Sequence, residues 1–346
     1  MTSPKLVIGA NGFLGSHVTR HLVEAGHQVR VMVREGANTV GIDDLDTESN
    51  SRVAPLLPAE RFVGDIWDDA TLTAAMTGCD DVYYCVVDAR GWLTDPAPLF
   101  RTNVEGTRNV VDVAKGVGLH RFIFTSSYAT VDRRRGRVAT ETDEITDQSR
   151  LTDYVRSRVQ AERLVLQSGL PAVAMCVSTT YGPGDWGRTP HGAIIAGAAF
   201  GKLPFVLGGI ELEAVGIDDA AAALILAAER GRVGERYLIS EKMISNAEVV
   251  RIAAEAVGVP APTRTIPLPV TYAMAALGSA KARLRGTDER LNLNALRLMR
   301  AEAPVDHSKA VRELGWQPRP VEDSIRAAAR WWVTLRAAKR GASAHD

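Results

Sequence analysis

The chain has 346 residues, 46% of them hydrophobic and 24% charged, and its 41 basic residues balance its 41 acidic ones. That size and composition exclude a disordered chain, a collagen-like repeat and a single small motif domain, and they leave ample apolar residue for a large core. Zero formal charge argues against a dedicated nucleic-acid binder. Three cysteines without a C-x-x-C pair (Cys79, Cys85, Cys176) argue against metal fingers and disulfide frameworks, and for the cytoplasm.

Lys5 to Ile8 reads as a short buried strand ending at a glycine cluster, too short for a signal core. Helical spacing follows from Gly15 to Ala25 (Val18, Leu22, Val23), and then Val29, Val31 and Val33 alternate as a second strand. Strand, glycine turn, helix, strand make one βαβ unit. Residues 35–60 read as a surface excursion. The alternation resumes with a strand at 61–63, a helix over 69–77, a strand at 82–87, a helix over 99–116 and a strand at 122–127. An Arg-rich loop (Arg133, Arg134, Arg135, Arg137) precedes a helix over 153–168 and a strand at 172–177. Such alternation predicts a parallel sheet covered on both faces. Beyond Tyr181 the pattern loosens. Ser245 to Glu248 forms a capping box, and Asp306 can cap a short helix ending at Gly315. The apolar stretch from Ile266 to Ala280 is interrupted by prolines and falls short of the roughly 20 residues of a membrane span. A buried or pocket-lining helix is expected there.

The expected fold class is α/β: a Rossmann-type doubly wound parallel sheet with a smaller C-terminal substrate-binding lobe. Residues 1–178 form the dinucleotide-binding domain. Residues 179–336 form mainly the lobe, with a segment near 214–240 returning to the sheet, and 337–346 a frayed tail.

Gly9-Ala10-Asn11-Gly12-Phe13-Leu14-Gly15 lies between a strand and a helix. Missing side chains let the backbone turn tightly and approach a pyrophosphate, whose charge the helix N-terminus meets. The second strand ends Met32-Val33-Arg34, with no acid at its tip to accept from a ribose 2′-hydroxyl. A guanidinium there can pair with a 2′-phosphate, so NADP is expected over NAD. Asp65, followed by Ile66, is placed after the third strand to meet the adenine edge. Ser127 ends a strand, and Tyr154 and Arg158 share a helix face at i and i+4. A neighbouring cation would stabilise a phenolate whose ordinary pKa is about 10.

These residues resemble the extended short-chain dehydrogenase/reductase family, the NAD-dependent epimerase/dehydratase superfamily, from Gly9 to about Trp331. Further matches are Gly64-Asp65, Asn103 to Thr107, Phe124 to Ser127, Tyr181 to Asp185, Gly216 to Asp219 and Leu314 to Pro318. The chain looks most similar to the dihydroflavonol reductase and 3β-hydroxysteroid dehydrogenase branch. The resemblance implies Tyr154 as general acid/base, Ser127 as polariser of the carbonyl, and a structural share for Asn103. It also implies that Asp218 organises a turn and that the protein is a homodimer joined through helices 99–116 and 153–168. Two positions depart from the family pattern: Arg158 stands for the usual lysine, and Cys176-Val177 for Arg-Pro. The expected activity is hydride transfer between nicotinamide and a small-molecule carbonyl or alcohol, apolar in character. A sugar-nucleotide epimerase or dehydratase holding NAD, and a cofactor-binding regulatory protein weakened by Arg158, are the alternatives.

Overall fold

The computed structural model describes residues 3–43, 59–133, 136–149, 151–300 and 303–342. Six parallel strands appear in the first half: β1 (Lys5–Ile8), β2 (Val29–Val33), β3 (Glu60–Val63), β4 (Asp81–Tyr84), β5 (Arg121–Ser127) and β6 (Ala172–Val177). The remaining strands are β7 (Thr179–Tyr181), β8 (Val206–Leu207), β9 (Glu211–Gly216), β10 (Arg236–Ile239), β11 (Lys242–Ser245) and β12 (Thr265–Ile266). The main sheet runs β10-β6-β5-β4-β1-β2-β3, and every pairing in it is parallel. Its reversal of strand order at β1 and β4 opens the crevice in which such sheets bind dinucleotides.

Alternation within each strand splits the core in two. Val7, Val31, Tyr83, Ile123 and Val173 face one way, onto α1 (Phe13–Glu24) and a later helix over residues 217–230. Leu6, Ile8, Met32, Tyr84, Phe122 and Phe124 face the other way. They are covered by α2 (Asp69–Met76), α4 (Thr107–Ala114) and α5 (Asp153–Leu166). The helix expected over 99–116 is interrupted: α3 (Ala97–Phe100) passes into a π-helical turn, Arg101–Gly106, before α4.

The smaller lobe packs α6 (Pro190–Ala199), α8 (Asn246–Glu255) and α12 (Val321–Ala342) around a second core containing Ile195, Val249 and Trp332. Between α6 and α8, α7 (Ile217–Arg230) returns the chain to the main sheet, where β10 takes the edge. α9 (Leu268–Arg285), α10 (Leu293–Leu298) and α11 (Ser308–Leu314) complete the chain. Ser245 Oγ accepts the Glu248 amide at 3.1 Å as the capping box requires, and Gly315 ends α11 at φ 71°.

Two expectations fail here. α9 is not a buried helix: only Thr271, Ala275 and Ala282 are buried, and Leu277 and Leu284 are 72% and 88% exposed. Residues 337–342 are not a frayed tail, because α12 runs through them; 343–346 lie outside the described residues, as do Arg134, Arg135 and most of the 35–60 excursion. On the two helices expected to join a homodimer, Val110, Val111, Val155, Val159 and Val165 are buried within the chain, and Val104, Val113, Leu164 and Leu166 are half-buried. No helix among the described residues is long and apolar enough to cross a membrane.

Candidate active site

A cleft of about 600 Å³ opens at the C-terminal ends of β1, β2 and β4. Gly9, Asn11, Gly12, Arg34, Asp65 and Ile66 line it, six of the residues singled out from the sequence. Gly9 sits at φ +84°, a conformation that L side chains rarely adopt. Gly12 caps α1 without offering a side chain to the first helical amides, which leaves the helix dipole open to an anion. Phe13, Leu14 and Gly15 stand behind this surface rather than in the cleft wall. Phe13 packs edge-on to His17 at 5.6 Å, and Leu14 packs into the core beside α7. A Cβ on Gly15 would lie 2.2 Å from the Gly9 carbonyl oxygen, so this glycine sets the close approach of helix to turn.

Arg34 is exposed on the cleft rim. Asp65 differs: its Oδ1 is buried and has no hydrogen-bond partner. An acceptor left bare in a cleft wall costs free energy unless a ligand donor meets it.

Ser127, Tyr154 and Arg158 come from β5 and α5. Ser127 Oγ accepts the Ala129 amide at 3.2 Å, while its carbonyl accepts from Thr130 Oγ1 at 2.8 Å. One lone pair is therefore fixed, and the hydroxyl proton is left to donate elsewhere. Thr152 Oγ1 caps α5 by accepting from Val155 N. Tyr154, half-buried on the first turn, packs in a cluster with Ala129, Ile145, Val155, Val159 and Leu298. Arg158 is 1% exposed. Its Nη2 donates to the Thr125 carbonyl, and the guanidinium stacks on Phe124 with 4.9 Å to the ring centroid. Nε and Nη1 are buried without partners. An arginine thus occupies the lysine position fully desolvated, with two donors unspent.

Behind these residues lies a network that the sequence reading missed. Glu162, 4% exposed and one turn beyond Arg158, accepts through Oε2 from Ser126 Oγ (2.5 Å), Thr130 Oγ1 (2.8 Å) and Cys176 Sγ (3.3 Å). Its Oε1 pairs with Arg236 Nη1 of β10 at 3.0 Å. Burial, with Glu162 beside it, pushes the Cys176 thiol well above its ordinary range. The visible signal was the i, i+4 stripe of Tyr154, Arg158 and Glu162. Asn103 plays a structural part: its Oδ1 accepts from Asp88 N at 2.8 Å, and its Nδ2 donates to the Asp88 carbonyl and Ser157 Oγ. Asp88 in turn grips Arg90, a cation of the cleft wall that sequence reading did not pick out. Burial raises the Asp88 carboxyl, but the Arg90 hydrogen bonds outweigh it and hold the group below its usual pKa.

A model of the NAD dependent epimerase/dehydratase family matches residues 5–240. The chain belongs to that family. It is 30% identical over 343 residues to a putative dihydroflavonol 4-reductase of Synechocystis sp., spanning 94% of this chain and 93% of that one. The solved structure of gox2253 superposes with a TM-score of 0.82 at 32% identity, covering 96% of this chain and 99% of its own. DesIV, a dTDP-glucose 4,6-dehydratase from Streptomyces venezuelae with NAD and TYD bound, shares the fold with a TM-score of 0.76 at 19% identity, covering 96% and 98%. Fold class and family membership, and with them the nicotinamide-dependent oxidoreductase and epimerase class of enzyme, follow from these matches.

The expected NADP preference is corrected. Similar solved structures described with a dinucleotide hold NAD. The expectation also rested on a pair between Arg34 and a 2′-phosphate, and an exposed guanidinium, already solvated by water, gains little from such a pair.

Proposed function

We propose that this chain transfers a hydride between NAD and a substrate carbon bearing an alcohol or carbonyl oxygen. The observation that carries the reading is the pairing of two features. Ser127 has its oxygen fixed by Ala129 and its proton free, and Arg158 lies buried with two unspent donors one turn beyond Tyr154. In this reading Ser127 donates to the substrate oxygen, and Tyr154 gives or takes the proton on it. Arg158 supplies a fixed positive field near the phenol and donors for a ribose hydroxyl. The bare Asp65 Oδ1 meets the adenine amino group, and the glycine turn with the open α1 N-terminus holds the pyrophosphate. NAD, when bound, supplies the hydride acceptor or donor.

Two substrate classes begin with that step. Sugar-nucleotide epimerisation or dehydration is supported by the family whose model matches and by solved structures such as DesIV. Net reduction of a carbonyl, in the dihydroflavonol reductase or hydroxysteroid dehydrogenase manner, is supported by the near full-length similarity to the Synechocystis reductase. Net cofactor turnover separates them. Incubation with NAD and a panel of nucleotide sugars, followed by NMR, reveals a new epimer or a keto product with no net NADH. A carbonyl panel with NADH reveals stoichiometric oxidation instead. Absence of both, with NAD bound, would overturn the hydride-transfer reading.

A further inference from the structure

Helix α1 carries His17 and His21 at i and i+4, so both imidazoles leave the same face. Asp218, the second residue of α7, meets them there. His17 Nδ1 lies 2.7 Å from Asp218 Oδ1, and His21 Nε2 lies 3.2 Å from the same oxygen. The other nitrogen of His17, Nε2, is 3.1 Å from the carbonyl oxygen of Pro183. A carbonyl only accepts, so this contact places a proton on Nε2. A neutral His17 then turns a bare Nδ1 lone pair toward a carboxylate oxygen. That approach needs a shared cation, either a proton or a metal ion. His21 brings a second imidazole nitrogen to the same oxygen, and one divalent ion could replace the protons of both contacts.

We propose that His17, His21 and Asp218 form a binding site for a divalent transition-metal ion of the zinc type, fastening α1 to α7 beside the Pro183 loop. The donor set is two imidazole nitrogens and one carboxylate oxygen, which suits zinc, cobalt or nickel and not the all-oxygen preference of magnesium or calcium. The backbone carbonyl on Nε2 is the outer partner that metal-bound histidines ordinarily have, fixing tautomer and ring orientation. The bearing helices are packed rigidly through Val18 and Leu22 of α1 and Ala220, Ala221 and Leu224 of α7. The three donor atoms lie within 4.8 Å of one another. With ligand bonds of about 2.0–2.1 Å, a tetrahedral ion sets donors about 3.3 Å apart, so on binding the His17 contact opens from 2.7 Å and the two imidazole nitrogens settle at that same spacing. The side chains of His17, His21 and Asp218 are 11%, 27% and 37% exposed, which leaves a water-accessible side for a further ligand. Arg319 is the competing cation. Its Nε is spent on Asp219 at 3.0 Å, and its Nη2 stands 3.9 Å from the other oxygen of Asp218. Among the described residues no other three such side chains converge.

The test uses the full, tag-free chain, stripped by chelator, without NAD or substrate. ZnCl₂ is titrated by calorimetry in two buffers of different ionisation heat, and Co²⁺ by visible absorption. The expected result is one ion per chain, a four-coordinate ligand-field band, and proton release read from the buffer dependence. Saturating Zn²⁺ should raise the unfolding midpoint by at least about 3 °C. His21→Ala and Asp218→Asn should each weaken binding at least about tenfold, and His27→Ala should leave it unchanged. The metal-free midpoints of the variants establish that they fold. No one-to-one binding tighter than about 10 µM, or binding unaltered in either His21→Ala or Asp218→Asn, would overturn the site. Because neither cofactor nor substrate is in the cell, failure here leaves the hydride-transfer reading standing, and the converse also holds.

Discussion

The glycine turn and the β5–α5 group are built by different means. At the glycine turn the wall is backbone: Gly9 in a left-handed conformation, Gly12 capping α1 with no side chain, and Gly15 pressed against the Gly9 carbonyl. At β5–α5, whose residues lie outside the lining of the cleft, the site is side chain, and its support reaches partners far away in sequence. Ser127 leans on the turn that Thr130 holds, and Thr130 leans on Glu162, which is itself tied to Arg236. A backbone site fails when atoms are added. A side-chain site fails when they are removed.

The largest effect should therefore come from the side-chain site. Tyr154→Phe deletes one oxygen on the first turn of α5 and should lower turnover by roughly 10²–10⁴-fold, the range that a positioned acid or base contributes. NAD affinity, measured separately by calorimetry, should change by less than about twofold. If the variant keeps its activity, Tyr154 is not the proton donor and the contrast between the two sites collapses. At the backbone site the opposite edit applies. Gly15→Ala adds one methyl 2.2 Å from the Gly9 oxygen and 2.9 Å from its carbonyl carbon. Neither neighbour is a flexible tip, so the turn must shift, at about 1–3 kcal/mol of stability. The loss should appear in denaturant midpoints together with weakened NAD binding.

The same contrast explains what could be read from the sequence. The glycine turn and the alternating strands were legible because each is dictated locally: Val29, Val31 and Val33 announce their shared face by period, and Gly9 its φ by lacking a Cβ. Tyr154 and Arg158 could be placed on one helix. Nothing local says that Arg158 turns to Thr125 and Phe124, because those contacts arise from sheet packing across 33 residues. Glu162 was overlooked for the same reason, its partners being scattered over Ser126, Thr130, Cys176 and Arg236. α9 misled by composition: its apolar residues suggested burial, yet Leu277 and Leu284 face solvent.

A pH series probes the smaller lobe. His191 at the start of α6 packs edge-on to Tyr181 at 6.1 Å, and its Nδ1 is buried without a partner. Burial pushes its pKa from 6.5 down to about 4. Between those values the unfolded chain binds a proton that the folded chain refuses. Stability should thus fall as pH drops from about 6.5 to 4, by at most about 2–3 kcal/mol. His191→Phe keeps the ring contact and should flatten this part of the profile. An unchanged slope would show that the ring is solvated.

The two arginines sharpen the comparison further. Arg158→Met removes a desolvated cation whose Nε and Nη1 have no other role; NAD affinity should fall about tenfold, the loss of one charge-assisted hydrogen bond. Arg158→Lys should recover most of it.

Arg34→Ala should do the least. The side chain is exposed on the rim, where water already solvates the guanidinium and where an ion pair is worth roughly 0–1 kcal/mol and is screened by salt. The similar structures that hold NAD present no 2′-phosphate for it to meet. NAD affinity should therefore change by less than about twofold, and raising the salt should erase even that. A larger loss, persisting at high salt, would mean that the rim closes over Arg34 when the dinucleotide binds. The backbone site would then hold its ligand partly by a side chain, and the division between the two sites would not stand.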